Sequence, residues 1–243
     1  MNTPKGQIPS DGWPVVIVNH GYIDPRIYST ENSYINTSAY FANSGFLVVK
    51  PDYRGHAKSQ GEAGSLVSRI NYAVDVLNLL TAVKKLPNVD SRRIFMYGHS
   101  MGGDVTLRVL EVCPTCVQAA TLWAPAVTEW PESFLFFTKR NTQDAQGSER
   151  LKRYQQELTD LFSIQDYPQV STLENINLVS TPLNIHHGTS DDSVPYSWGN
   201  ALASKLISAN KKVNFYSYPQ DNHDISNNWS NALNRDVQLF NTY

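Results

Sequence analysis

The segment Gly98-His-Ser-Met-Gly102 lies between an apolar strand-like run, Ile94 to Tyr97, and a helix-compatible run, Val105 to Val112. A G-x-S-x-G at such a junction makes a tight, strained turn that leaves the serine exposed at the end of the strand. Ser100 is thereby a candidate nucleophile. The backbone N–H of Met101, in the favourable field of the helix N-terminus, points to where an oxyanion would form. A serine hydroxyl is a weak nucleophile at neutral pH and needs a base that is itself oriented by a carboxylate. Both are present downstream. Asp191 and Asp192 fall in the loop after the strand-like run Leu183 to His186, and His223 falls in the loop after Val213 to Tyr216. Loops at the carboxyl ends of parallel strands share one edge of the sheet, so Ser100, an aspartate and His223 are expected to meet there. Asp191 is preferred to Asp192 as the orienting acid, and the other reading of either is a carboxylate that caps its own loop.

A second oxyanion donor is expected from the loop after an early strand, where Asn19-His-Gly-Tyr22 stands. Gly21 permits the turn, and the Tyr22 backbone N–H can face the same oxyanion as that of Met101. The other five histidines, His20, His56, His99, His186 and His187, are read as orienting loops or packing near strand ends. No clustering of histidines with carboxylates suggests a catalytic metal, and no cofactor is implied. Cys113 and Cys116 form a single C-x-x-C without a second pair of ligands, which is too little for a closed zinc site; ordinary thiols, a local disulfide or a redox pair are the readings.

The elements that must position these residues alternate between strand and helix. Strand-like runs recur at 15–18, 46–49, 94–97, 119–123, 183–186 and 213–216, several apolar at consecutive positions as in sheets covered on both faces. A mostly parallel sheet is expected, centred on 15–18, 46–49 and 94–97. Apolar residues at helical spacing predict helices over 70–83, 198–209 and 229–240. The stretch 127–172 breaks this rhythm with the aromatic cluster Trp130, Phe134, Phe136 and Phe137 and a charged helix with Leu151, Tyr154, Leu158 and Leu161 on one face. It reads as a small helical cap inserted between two strands of one domain spanning 1–243. Trp123, Trp130, Phe134 and Phe137 are candidate substrate contacts, although such aromatics also glue a cap to its core.

Composition bounds the partners. The 243 residues are 41% hydrophobic, enough for one sizeable core, and 20 basic against 22 acidic residues leave a net charge of −2. No basic run is placed to neutralise successive phosphates, which argues against a nucleic-acid partner. Charged residues make up 17% of the chain while asparagine occurs 21 times, so the surface is polar but little charged. A small, largely uncharged substrate fits that surface. No run approaches the roughly 20 consecutive apolar residues of a membrane span. The first residues lack the apolar core of a secretory signal, although such a signal could have been removed from a longer precursor.

The motifs Asn19-His-Gly-Tyr22, Asp52-Tyr-Arg-Gly-His56, Gly98-His-Ser-Met-Gly-Gly103, His187 to Pro195 and Asp221-Asn-His223, spread over nearly the entire chain, resemble those of α/β-hydrolases, closest to the catalytic domain of prolyl oligopeptidase-like serine hydrolases. The resemblance implies the α/β-hydrolase fold, with Ser100 as nucleophile, Asp191 as acid and His223 as base. Two departures stand out. The first recognisable strand already carries the oxyanion loop, leaving almost nothing for the two leading antiparallel strands common in the family. The large N-terminal propeller of family peptidases, which filters peptides and supplies acidic residues for a substrate amine, has no room either. A trimmed core or a fragment of a longer gene product is therefore expected, and carboxylic-ester hydrolysis of small to moderate acyl or aryl substrates is favoured. A dipeptidyl or acylaminoacyl peptidase is the alternative, and a catalytically dead binding module a more remote one. A histidine base predicts loss of activity on acidification.

Overall fold

The computed structural model describes residues 1–140, 142 and 145–243. Six strands, β1 (Trp13–Asn19), β2 (Leu47–Val49), β3 (Val89–His99), β4 (Ala119–Trp123), β5 (Leu183–Gly188) and β6 (Val213–Tyr218), pair in the order β2-β1-β3-β4-β5-β6. Every neighbouring pair is parallel. Each crossover therefore passes over a face of the sheet, and the intervening helices cover both faces.

The apolar runs divide between the two faces with period two. Val15 and Ile17 of β1 point into a core shared with α2 (Leu66–Val83), α3 (Met101–Val112) and α7 (Tyr196–Ser208), through Val76, Leu80, Val105, Leu107, Leu202 and Leu206. Val16 and Val18 point the other way, against Phe41 of α1 (Ile35–Asn43) and Leu233 and Phe240 of α8 (Trp229–Thr242). All seven residues of β1 are buried, which is why it reads as a continuous apolar run rather than an alternating one.

Two expectations about elements are corrected. The sheet is centred on β3 and β4, not on 46–49, because β2 is an edge strand. An apolar run reports that both faces of a strand are covered and says nothing about its two lateral neighbours. Among the described residues, the outer edge of β2 meets Asn2, whose backbone N–H and C=O each bond Val48 at 2.9 Å in an antiparallel bridge. Helix α2 begins at Leu66, ahead of the expected 70, since Ser65 and Ser68 cap it reciprocally, each backbone N–H donating to the other's hydroxyl at 2.9 Å. That extra turn carries Arg69.

By length and composition alone, α2 is apolar enough to cross a membrane. Here Tyr72, Ala73, Val76, Leu80 and Val83 of its inner face pack on the sheet as a core helix does.

Between β4 and β5, the segment read as an insertion at 127–172 holds α4 (Glu132–Arg140), α5 (Ala145–Leu161) and the short α6 (Tyr167–Val170). Trp130, Phe134, Leu135, Tyr154 and Leu158 form a small core of their own with Leu66 of α2. Cys113 and Cys116, just past α3, are joined in a disulfide.

Candidate active site

The local sequence around Ser100 leaves little choice of conformation. Ser100 has φ 57° and ψ −119°, a region that costs a non-glycine residue of order 1–3 kcal/mol. It is held there by its own N–H donating to Trp123 C=O at 2.8 Å and its C=O accepting from Gly103 N at 2.9 Å and Ala126 N at 3.0 Å. The flanking glycines are needed for close approach. A Cβ on Gly102 would sit 2.0 Å from Asn19 O, and one on Gly98 would sit 2.4 Å from Gly102 O. Asn19, ending β1, donates to Thr106 Oγ1 of α3 at 2.8 Å, so the oxyanion-side loop and the serine turn are bonded together.

Asp191 and His223 come from the loops after β5 and β6. His223 Nδ1 lies 2.8 Å from Asp191 Oδ2, and that carboxylate is fully buried. Its other oxygen accepts from Ser193 N at 2.8 Å and Val194 N at 2.9 Å, while His187 Nε2 approaches Oδ2 at 3.1 Å. Burial would raise the carboxyl's pKa, but donation from His187 and His223 outweighs it and holds Asp191 well below the usual carboxylate range. Asp192 is exposed; its carboxylate accepts from Ser193 Oγ at 3.2 Å and its carbonyl from Arg140 at 3.0 Å, and neither reaches His223. Of the two aspartates, the structure brings Asp191 to His223. His187, read as a loop residue, is also a neighbour of that carboxylate.

A cavity of about 370 Å³ opens onto Ser100 and His223 and is lined by Tyr22, Met101, Phe134 and Phe137 among others. Met101 opens α3, so its N–H has no acceptor within the helix. A larger groove of about 770 Å³ runs past Tyr34, His99 and Trp229 and contains neither Ser100 nor His223.

Two of the four expected substrate contacts lie elsewhere. Trp123 is buried on the α8 side of the sheet, its Nε1 donating to Asp236 at 2.8 Å. The pleat decides this: in β4 the side chain next to the serine turn points away from the cavity. Trp130 is buried inside the cap's own core, 5.9 Å from the Arg108 guanidinium. Phe134 and Phe137 do line the cavity. Arg69, Tyr72, Arg150 and Tyr154 line it as well and were not read from the sequence. Their helices are recognisable, but which face meets a cavity depends on how α2 and α5 pack together.

His99 ties the loops together. Burial pushes its pKa down to about 3, so the ring is neutral. It accepts from the Tyr34 hydroxyl at Nδ1 and donates through Nε2 to the His223 carbonyl at 3.2 Å. His20 is likewise driven down to about 3 by burial; its Nδ1 donates to Gly21 C=O at 2.8 Å. His186 lies 2.8 Å from Asp236 Oδ1 in a buried network behind the sheet. Among the described residues, no group of three or more His, Cys, Asp or Glu side chains could hold a metal ion.

Residues 13–171 match the family model described as serine aminopeptidase, S33. The chain is 27% identical over 222 residues to acylamino-acid-releasing enzyme 2 of Oryza sativa subsp. japonica, covering 88% of this chain and 28% of that protein. Among solved structures it is similar to dipeptidyl peptidase 4 of Porphyromonas gingivalis, with a TM-score of 0.71 and 26% identity over 98% of this chain and 32% of that one. Est1E of Butyrivibrio proteoclasticus shares the fold at a TM-score of 0.66 and 16% identity, covering 94% of this chain and 87% of that one. The chain spans half or less of the curated relatives it matches. A G-x-S-x-G turn between β3 and α3, on an all-parallel sheet matched along most of its length, makes this chain a member of the S33 serine aminopeptidase family, a prolyl oligopeptidase-like serine hydrolase of the α/β-hydrolase fold.

Proposed function

We propose that the protein hydrolyses carboxylic esters through an acyl-enzyme. Ser100 Oγ attacks the acyl carbon while His223 Nε2 takes its proton, and Asp191 holds the imidazole in the required tautomer and steadies the imidazolium. The developing oxyanion is received by the backbone N–H groups of Met101 and Tyr22. As the acyl–oxygen bond breaks, His223 returns the proton to the departing alkoxide. Water then attacks the acyl carbon, gives a proton to His223, and the carboxylic acid leaves as Ser100 regains its own.

The observation that carries this reading is the buried Asp191–His223 pair, at 2.8 Å, beside a strained Ser100 that opens on the same cavity as His223. Among the described residues no aspartate or glutamate lines that cavity, so no side chain of its wall would hold the free amine of a dipeptidyl substrate, which supports ester cleavage over that reading. The peptidase reading draws on the acylamino-acid-releasing and dipeptidyl peptidase relatives. Turnover of short 4-nitrophenyl esters against aminoacyl 4-nitroanilides separates the two, alongside labelling of Ser100 by a fluorophosphonate. Labelling with ester turnover is expected; anilide cleavage with negligible ester cleavage would reverse the order.

A further inference from the structure

Two arginines, Arg69 and Arg150, line the cavity that holds Ser100 and His223, and among the described residues neither forms an ion pair. Neighbouring arginines are provided for. Arg108 pairs with Asp104 at 3.1 Å, and Arg153 lies 3.8 Å from Glu157. Glu157 of α5 also accepts from the Leu66 N–H at 2.9 Å, the first amide of the helix that carries Arg69.

Arg69 sits in the first turn of α2 with its guanidinium 5.7 Å from the centre of the Phe134 ring, a second wall of the same cavity. Burial lowers its pKa, against the opposing influence of the Asp104 carboxylate, which forms no ion pair with it. A guanidinium stays protonated in a protein, so the charge persists. A part-buried guanidinium with no ion-pair partner can give its paired N–H donors to an anion that enters the cavity, in charge-assisted bonds shielded from water.

We infer that Arg69, supported by Arg150, makes the cavity selective for substrates bearing a carboxylate in addition to the scissile carbonyl. This departs from the uncharged substrate that the low overall charge suggested: the average over the surface hides a cavity wall that carries two arginines and, among the described residues, no lining carboxylate. The inference rests on the hydrolase reading for the identity of the reacting bond, but not for the existence of the anion site.

The test compares two amide probes that differ only in charge, N-benzylglutaramic acid and its neutral carboxamide counterpart N-benzylglutaramide, titrated calorimetrically against the wild-type chain and against Ser100→Ala, which cannot turn either over. The acid should bind roughly tenfold or more tightly, as one charge-assisted contact allows. That preference should shrink with added salt and fall to below about threefold in Arg69→Gln, with Arg150→Gln intermediate. Equal binding of the two probes to the wild type, or tighter binding of the neutral one, overturns the inference even if Arg69→Gln proves unfoldable. So does an undiminished preference in the folded double variant. Ester turnover without anion preference sinks the inference alone, whereas anion preference without turnover or fluorophosphonate labelling sinks the hydrolase reading alone.

Discussion

The hydroxyl of Tyr34 lies 2.6 Å from Nδ1 of His99. It also accepts from Gly21 N at 2.8 Å, and the far nitrogen of His99 reaches the His223 carbonyl at 3.2 Å. One chain of hydrogen bonds therefore runs from the loop before Tyr22, through the serine turn, to the loop that carries His223. The directions are mutually consistent: Gly21 donates to Tyr34, Tyr34 donates to a neutral His99, and His99 donates to His223. The rings of His99 and His223 are also in contact, with centroids 4.6 Å apart.

Tyr34→Phe removes the middle of that chain while keeping the ring. Both the Gly21 N–H and His99 Nδ1 then lose their partner in a buried place, at about 1–3 kcal/mol for each group left unsatisfied. Thermal unfolding should register the loss. Because the loops on either side of Ser100 are then held less firmly, kcat should drop by roughly tenfold with KM changed less. Unaltered kcat in a folded variant would mean that the chain serves stability alone.

For the proposed chemistry, Ser100→Ala and His223→Ala should each lower kcat by a factor on the order of 10⁶, the size expected when the members act as a unit. Asp191→Asn should cost about 10⁴ through loss of the tautomer that it selects. Asp192→Asn should stay within a few-fold of wild type, because that side chain is exposed and, among the described residues, bonds Ser193 rather than His223. Steady-state rates on one 4-nitrophenyl ester decide all four. A loss of only tenfold at Ser100 would remove it from the reaction.

Gly102→Ala should abolish soluble expression or lower stability by at least about 3 kcal/mol, at the upper end of overpacking costs. Its Cβ would meet the backbone of Asn19 and His20 at 2.0 and 2.7 Å, and both belong to the segment joining β1 to the oxyanion-side loop. Gly45→Ala is the contrast, since nothing lies within 4 Å of its Cβ and the cost is only that of a positive φ, +92°. Denaturant midpoints of the two variants should differ accordingly.

Glu111, in the last turn of α3, has a buried carboxyl oxygen with no partner, and burial raises its pKa to about 9. The folded pKa thus lies above the unfolded one, so folding takes up a proton between the ordinary carboxyl value of 4.5 and about 9. The favourable, protonated form is fully available below that window, and stability is lost as pH rises through it. Glu111→Gln should therefore melt higher than wild type at pH 8 and nearly level with it at pH 4, by about 2–4 °C for each kcal/mol recovered. A gap in melting temperature that does not widen between those two pH values would contradict the assignment.

Much of the site was legible because it is written in short motifs at strand ends. Gly98 to Gly102 reveals its turn by glycine spacing, and Asp191 and His223 are found by counting from the ends of β5 and β6. Trp123 and Trp130 were misplaced for a shared reason: hydrophobicity marks a side chain as buried but not on which side of a sheet or inside which cluster. The edge position of β2 was hidden for a similar reason, since a strand's faces leave a trace in its sequence and its lateral neighbours do not. Arg69 and Arg150 left no trace either, because a lone basic residue on a helix reads as solvated surface.

Sequence alone determined the alternation of strand and helix, the serine turn, and the order Ser100, Asp191, His223 along the chain, all of which are local patterns of residue type and spacing. Tertiary structure decided which carboxylate meets His223, which aromatics face the cavity and which charges there lack a partner. Those are properties of distance and desolvation between segments far apart in the chain: Asp191 and His223 are 32 residues apart yet 2.8 Å in contact, and the Leu66 amide on the turn bearing Arg69 bonds a glutamate 91 residues away.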